Sequence, residues 1–262
     1  MKVLEGETPF AIAHRGSRLL WPENTMLAFE NAHDAGFRWL ETDLHMTSDG
    51  VLVCLHDDTV DRTTDGRGAA HRFAFDELAA LDAGHAFVVD GTFPYRGAGL
   101  RVPSLEEVAL TFDDCRLVVD LKQNGLAGPL WDLIRRLGME DRMIVGSFSD
   151  RRLREFRRIT GGTVATSAGP VAVLRSLTGG RVRPLRKLAD ALQIPPSYRG
   201  IALVTPGSVR RFHAAGYQVH VWTVNASKQM HRLLDFGVDG IITDRPDALK
   251  AVMIERGEWT GA

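Results

Sequence analysis

The stretch "ETDLHMTSDGVLVCLHD", Glu41 to Asp57, reads as a strand, a tight turn and a second strand. Carboxylates and histidines stand in it where an ordinary strand carries apolar residues. Leu44 and Leu52 are too close in sequence for the crossover that a parallel neighbour needs, so the two strands pair antiparallel. Asp49-Gly50 is a strong type I′ turn signal. With those two residues as the loop, Asp43 falls directly across from His56. Side chains alternate along a strand, so Glu41 shares a face with Asp43. The hairpin therefore predicts two carboxylates and a histidine in one patch, while alternation turns His45 and Asp57 away from it.

Outward from this hairpin, short β-branched runs alternate with amphipathic helical patterns. "FAIAH" (10–14) precedes a helix in "NTMLAFENAHDAG", with Asn24 as its N-cap and Gly36 as its C′ glycine. Further strands are expected at 38–44, 116–122, 142–148, 162–168, 217–225 and 238–244, and either "ADALQIP" or "GIALVTP" supplies another. Strand 38–44 runs on into the hairpin, and helices are expected after the others, including 150–159, 170–177 and 206–215, the last opened by the cap-and-proline pair Thr205-Pro206. Strands alternating with helices in this way indicate βαβ units and a parallel sheet. About eight units without a composition break favour a (β/α)8 TIM barrel, an α/β fold, over a doubly wound sheet. No G-x-G-x-x-G follows the first strand, which removes the main support for a dinucleotide-binding fold.

Residues 57–103 break the alternation. They are rich in Gly, Asp, Thr and Arg, with one short helix near 75–82, and are expected to form a small inserted subdomain over the site. "PSLEEVAL" restarts the barrel, with Ser104 and Glu107 spaced as a capping box. The chain is otherwise read as one domain spanning 1–262. Segment 169–200 is longer and more basic than a minimal barrel needs. With 44% hydrophobic and 25% charged residues and a net charge of -1, the composition is that of a soluble globular protein and supports no nucleic-acid partner. No apolar run reaches the length of a membrane span and no secretory signal is evident, so a cytoplasmic location is expected. Cys54 reads as a buried free thiol.

Polar residues at the C-terminal ends of barrel strands are where catalysis is built. His14 and Arg15 end the first strand, Asp120 and Lys122 another, and Trp222 and Asn225 a late one. Glu41, Asp43 and Asp120 suit a hard cation, Mg²⁺ or Ca²⁺, better than zinc. His14 and His56 suit an acid/base pair, and Arg15 and Lys122 suit an anionic oxygen. The bland alternative makes Glu41 and Asp43 structural ion-pair partners of Arg15 and Lys122. His33, His85, His213, His220 and His231 read as surface or packing residues.

The run "AHRGSRLLWPENTMLAFENAHDAGFRWLETDLHMTSDGVLVCLHDDTVDRTTDGRG" resembles the N-terminal signature of glycerophosphodiester phosphodiesterases, and "VWTVN" with "GVDGIITDRPD" resembles their C-terminal signature. "DLK" and "GSF" lie between, so the resemblance spans nearly the whole chain. It implies a (β/α)8 barrel with a small subdomain inserted after the second histidine. By this similarity His14 and His56 are the general acid/base pair, Glu41 and Asp43 bind metal, Arg15 and Lys122 bind phosphate, and Trp222 lines the pocket. The family's E-x-K pattern carries aspartate here, at Asp120, which bears on metal affinity.

The implied reaction is metal-dependent hydrolysis of a glycerophosphodiester to sn-glycerol 3-phosphate and an alcohol. A lysophospholipase D acting on acylated glycerophosphodiesters is the near rival, with "HAFVV" and "FPY" of the insertion as candidate chain contacts. A non-catalytic barrel that binds a phosphorylated ligand would have lost a histidine or a carboxylate, and both sets are present. A divalent-metal aldolase-type barrel leaves the His-Arg pair and the Glu-x-Asp hairpin unexplained.

Overall fold

The computed structural model describes residues 1–177 and 189–261. Eight parallel strands run round a nearly closed barrel in chain order. They are β1 (Phe10–His14), β2 (Trp39–Met46), β4 (Arg116–Leu121), β5 (Met143–Gly146), β6 (Ala165–Thr166), β7 (Ala191–Ile194), β10 (Gln218–Val221) and β11 (Gly240–Thr243). β11 returns to β1, with Ala13 beside Thr243. The seam between β6 and β7 is held by the Ser167–Ala191 bridge and by Asp190, whose carboxylate accepts from the Thr166 amide. Thus "ADALQIP" supplies the barrel strand. "GIALVTP" contributes instead to a small hairpin of β8 (Ser197–Tyr198) and β9 (Ile201–Ala202).

Helices α1 (Met26–Asp34), α3 (Leu105–Thr111), α4 (Ala127–Leu137), α5 (Asp150–Thr160), α6 (Pro170–Leu177), α7 (Pro206–Ala214), α8 (Ser227–Asp235) and α9 (Pro246–Glu255) wrap the outside. Their apolar stripes meet outward residues such as Leu40, Leu44, Leu117 and Val119 in the main core. The expected capping box forms at α3, where Ser104 Oγ accepts from the Glu107 amide at 3.1 Å and Glu107 accepts back from the Ser104 amide. α7 begins at the Thr205 cap as expected. α1 differs: Thr25, not Asn24, accepts from the Ala28 amide, and Asn24 takes a left-handed φ of 55° so that Oδ1 receives the Thr42 hydroxyl. Of segment 169–200, residues 178–188 lie outside the described residues.

Inward side chains are apolar at one end of the barrel and polar at the other. Phe10, Ile12, Trp39, Val118, Ile144, Ala165 and Ile242 form an interior core, closed from below by Val3 of the N-terminal 3₁₀ turn. Two residues further along the same strands stand His14, Glu41 and Asp120, so the pleat that packs the floor also aims the polar groups above it.

The hairpin is shifted by one residue from the expected register. β3 (Leu52–Cys54) pairs antiparallel with β2 through Leu44–Cys54 and Met46–Leu52. Thr47 O accepts from Gly50 N, Gly50 sits at φ +88°, and Thr47 N donates to Val51 O. The loop therefore holds three residues and ends in a left-handed glycine, the commonest alternative to the two-residue turn. Asp43 lies opposite Leu55, whose amide donates to its carbonyl, and His56 follows in the loop. Residues 57–103, with helix α2 (Phe75–Ala79), gather their own small core of Val60, Ala70, Leu78 and Val102 against Val53 and Leu55. Among the described residues no helix is long and apolar enough to cross a membrane.

Candidate active site

A cavity of about 630 Å³ opens at the C-terminal ends of the strands. His14, Arg15, Glu41, Asp43, His56, Asp120, Lys122 and Trp222 all line it, so the eight residues singled out in the sequence converge. Strand register explains the convergence. His14 pairs with Glu41 across β1 and β2, and Asp43 pairs with Asp120 across β2 and β4. No described residue of 57–103 lines this cavity, in contrast to the covering role expected for that stretch, and neither do "HAFVV" and "FPY".

Charge is distributed unevenly. Asp43 lies 2.8 Å from Lys122 Nζ through one oxygen and 2.8 Å from Arg15 Nε through the other, the latter an ion pair off the line of a hydrogen bond. Burial opposes ionisation of Asp43, but Arg15 and Lys122 outweigh it and hold the carboxyl below the usual range. Lys122 also reaches Asp120 at 2.6 Å. Glu41 has weaker partners, the Arg15 amide at 3.2 Å and His14 Nε2 at 3.7 Å. Burial, and then the neighbouring Asp43 charge, push its carboxyl up to about 7. A buried carboxylate disfavoured as an anion beside two further carboxylates is a donor set that fits a hard divalent cation.

A second trio, His33, Asp114 and Cys115, brings ligand atoms within 4.8 Å of one another. It precedes β4 at the opposite end of the barrel. Asp114 there is already paired with His33 at 3.1 Å and Arg38 at 2.8 Å, and the Cys115 thiol is pushed up to about 12 by burial.

Both histidines are held from behind by aspartates that strand-end reasoning passed over. His14 Nδ1 lies 2.6 Å from Asp244 Oδ1, and Asp244 is fully buried, with Oδ2 receiving Asn225 Nδ2 at 3.0 Å and Arg18 Nε at 3.1 Å. Burial opposes its ionisation, yet His14, Asn225 and Arg18 hold its carboxyl down at about 2. His56 Nδ1 lies 2.5 Å from Asp57 Oδ1. Alternation was expected to turn Asp57 away, but β3 ends at Cys54 and the loop rotates it onto the ring. Asp57 Oδ2 accepts from Arg62, Arg62 from its other nitrogens spans Glu23, and Glu23 accepts from Arg15 at 2.9 Å. One chain of charges thus links His56 to Arg15. His45 does point away, with Nδ1 3.0 Å from Gln123 Oε1, and its Nε2 lies 3.3 Å from the His56 carbonyl. Trp222 meets Phe148 edge-on at 5.6 Å on the far wall.

Asp244 was legible in principle, since it follows the last barrel strand, which in a closed barrel lies beside the first. Glu23 had only a weak signal, a glutamate off the apolar stripe just before α1.

The model of the "Glycerophosphoryl diester phosphodiesterase family" matches residues 14–248. The chain is 42% identical over 259 residues to a "Probable glycerophosphodiester phosphodiesterase 2" of Mycobacterium tuberculosis, covering 96% of this chain and 93% of the relative. A glycerophosphodiester phosphodiesterase of Caldanaerobacter subterraneus is 33% identical, with 91% and 95% covered. Among solved structures, a putative glycerophosphoryl diester phosphodiesterase from Silicibacter pomeroyi superposes with a TM-score of 0.81 at 28% identity, covering 99% of this chain and 98% of that one. A phosphodiesterase from Oleispira antarctica, solved with its product sn-glycerol-3-phosphate, gives 0.77 at 26% identity, with 94% and 97% covered. With both signature regions inside the matched span and the polar strand ends converging on one cavity, the chain belongs to the glycerophosphoryl diester phosphodiesterase family.

Proposed function

We propose that this chain hydrolyses glycerophosphodiesters to sn-glycerol 3-phosphate and an alcohol, with His14 and His56 as the acid/base pair. The observation that carries this reading is the matched support of the two rings. Each has an aspartate on Nδ1, which leaves Nε2 for the cavity that also holds Glu41, Asp43, Asp120, Arg15 and Lys122. Glu41, Asp43 and Asp120 would hold Mg²⁺ or Ca²⁺, which when bound supplies polarisation of a phosphoryl oxygen. Arg15 and Lys122 place cationic donors beside the phosphate. One histidine takes the proton of the attacking oxygen, and the other gives a proton to the departing alkoxide. Residues 57–103 serve as an inserted brace, setting His56 through Asp57 and Arg62.

The test is glycerol 3-phosphate release from glycerophosphocholine, glycerophosphoethanolamine and glycerophosphoglycerol, after chelation and with Mg²⁺ or Ca²⁺ restored. Acid/base assistance is worth about 10²–10⁴-fold, so His14→Ala and His56→Ala should each lose at least that much kcat. Folded protein that releases nothing from any diester with either ion would overturn the reading.

A further inference from the structure

The cations of the cavity are not equally engaged. Arg15 sets Nη1 2.9 Å from Glu23 and Nε 2.8 Å from Asp43, and its side chain is 9% exposed. Lys122 stands between Asp43 and Asp120, at 2.8 and 2.6 Å. Arg18 lines the same cavity with a single partner, its Nε donating to Asp244 Oδ2 at 3.1 Å. Nη1 and Nη2 of Arg18 hydrogen-bond to no described residue, and the side chain is 48% exposed. Exposure alone does not explain this. Arg62 is nearly as exposed, yet its Nε is on Asp57 and both of its terminal nitrogens are on Glu23.

Arg18 is nonetheless held in place. It lies on the loop between β1 and α1, directly after Ser17, which is fully buried. Ser17 Oγ donates to the Asp244 carbonyl at 2.6 Å and accepts from the Leu20 amide at 3.2 Å. The backbone and side chain of one buried aspartate therefore fix two successive residues of this loop. With Nε engaged, the guanidinium presents its other edge, Nη1 with Nη2, a planar fork that matches two oxygens of a carboxylate or phosphate. Asp244 does not cancel this charge alone, because its other oxygen lies 2.6 Å from His14 Nδ1. His14 and Arg18 thus take the two oxygens of one carboxylate, and the free fork lies on the His14 side of the site. Arg15 and Lys122 already serve the phosphate, and glycerol brings only hydroxyls. A second anion on this fork therefore belongs to the departing alcohol, within a few bonds of phosphorus.

We propose that the Nη1/Nη2 edge of Arg18 is a subsite for a second anionic group on the head-group alcohol, so that the enzyme favours the diester of serine over that of ethanolamine. The inference rests on the reaction proposed above. The oxygen of water joins phosphorus, the bond from phosphorus to the serine oxygen breaks, and a proton goes to that oxygen. The products are glycerol 3-phosphate and serine. The carboxylate takes no part in these bond changes, and the fork holds it in place while they occur.

The experiment measures kcat/KM for glycerophosphoserine and glycerophosphoethanolamine, which differ only in the carboxylate, with wild type, Arg18→Gln and Arg18→Lys. One charge-assisted pair at a half-exposed site predicts a wild-type ratio of about tenfold in favour of serine. Arg18→Gln should bring the ratio to about one, and Arg18→Lys, a charge without a fork, should keep part of it. The ratio is the readout because losing the Asp244 contact slows both substrates alike. Equal kcat/KM for the two diesters in the wild type overturns the subsite and leaves the reaction standing. So does a serine preference that survives in Arg18→Gln. Calorimetry with O-phosphoserine and O-phosphoethanolamine reads the subsite without turnover. Tighter phosphoserine binding, lost in Arg18→Gln, in a protein that hydrolyses no diester would keep the subsite and retire the reaction. Equal binding of the two phosphates overturns the subsite.

Discussion

Asp244→Asn is the substitution that most directly tests how the site works. The wild-type carboxylate accepts from donors on both oxygens: His14 Nδ1 at 2.6 Å, Asn225 Nδ2 at 3.0 Å and Arg18 Nε at 3.1 Å. An amide of the same shape has one accepting oxygen and one donating nitrogen, and it is buried where water does not compensate. If the oxygen faces His14, the amide nitrogen meets the Asn225 and Arg18 donors. If the nitrogen faces His14, Nδ1 must become the acceptor and the proton moves to Nε2, the atom assigned to the proposed acid/base step. Loss of one hydrogen bond to a charged group costs about 1.5–3 kcal/mol, or roughly 10- to 100-fold in rate. A wrong tautomer raises this to about 10⁴ in the serine-protease triad. The expected outcome is a kcat lower by about 10²–10⁴ with KM moved less than about threefold, since the group acts on the ring and not on the substrate. Burial lowers the His14 pKa, but Glu41 and then Asp244 outweigh it and leave it raised. Removing the Asp244 charge therefore moves the His14 limb of the pH–rate profile to lower pH. Steady-state kinetics across pH, with circular dichroism to confirm folding, decides the matter. A folded variant whose kcat stays within about threefold and whose limb does not move refutes the argument and leaves Asp244 a packing residue.

Other outcomes follow from the same geometry. Asp120→Glu adds one methylene to a carboxylate held 2.6 Å from Lys122, and should lower the Mg²⁺ or Ca²⁺ concentration for half-maximal activity; an unchanged metal titration removes Asp120 from the ligand set. Arg62→Ala releases Glu23 and Asp57 together and should lower kcat about tenfold through His56, whereas full activity would show that the ring needs no such brace. Gly16→Ala forces a side chain onto φ +78° with its Cβ 2.6 Å from the Ala28 backbone, and should cost about 2–4 kcal/mol in denaturant unfolding, with a loss under about 1 kcal/mol refuting the clash. Burial lowers the His220 pKa to about 4. Between its ordinary value and 4 the unfolded chain binds a proton that the native one does not, so stability falls with falling pH by up to about 3 kcal/mol and this contribution is constant below 4. Equilibrium unfolding of His220→Gln should show that part of the acid slope gone.

What was legible in the sequence is what a strand's period encodes. Glu41 and Asp43 share a face because they are two apart on β2, and the same period places Asp120 above Val118 and His14 above Ile12. The barrel itself was legible because each unit repeats that period and then a helical one. Register was less so. The Asp-Gly pair fits a two-residue turn and the end of a three-residue one equally well, and the chain resolves the tie through Thr47, whose hydroxyl receives the Val51 amide and approaches the Asp49 carboxylate. The shift moved His56 off the strand without removing it from the site, because the loop rather than the pleat aims it.

The residues that reading passed over share a physical cause. Asp244, Glu23, Asp57 and Arg62 all sit in loops, where no period says which way a side chain points. The His14–Asp244 contact spans nearly the whole chain and exists only because β11 returns to β1. Strand positions carry His14, Glu41, Asp43 and Asp120, and loop positions carry the aspartates behind the two rings. The first kind must fit between neighbouring strands, so its spacing is dictated locally. The second kind needs only to arrive at one nitrogen from outside the barrel, and many loop paths would do so. For that reason a single sequence discloses the strand-borne groups of this cavity more readily than their supports, and variants of Asp244 and Arg62 test the part of the argument that only the structure supplies.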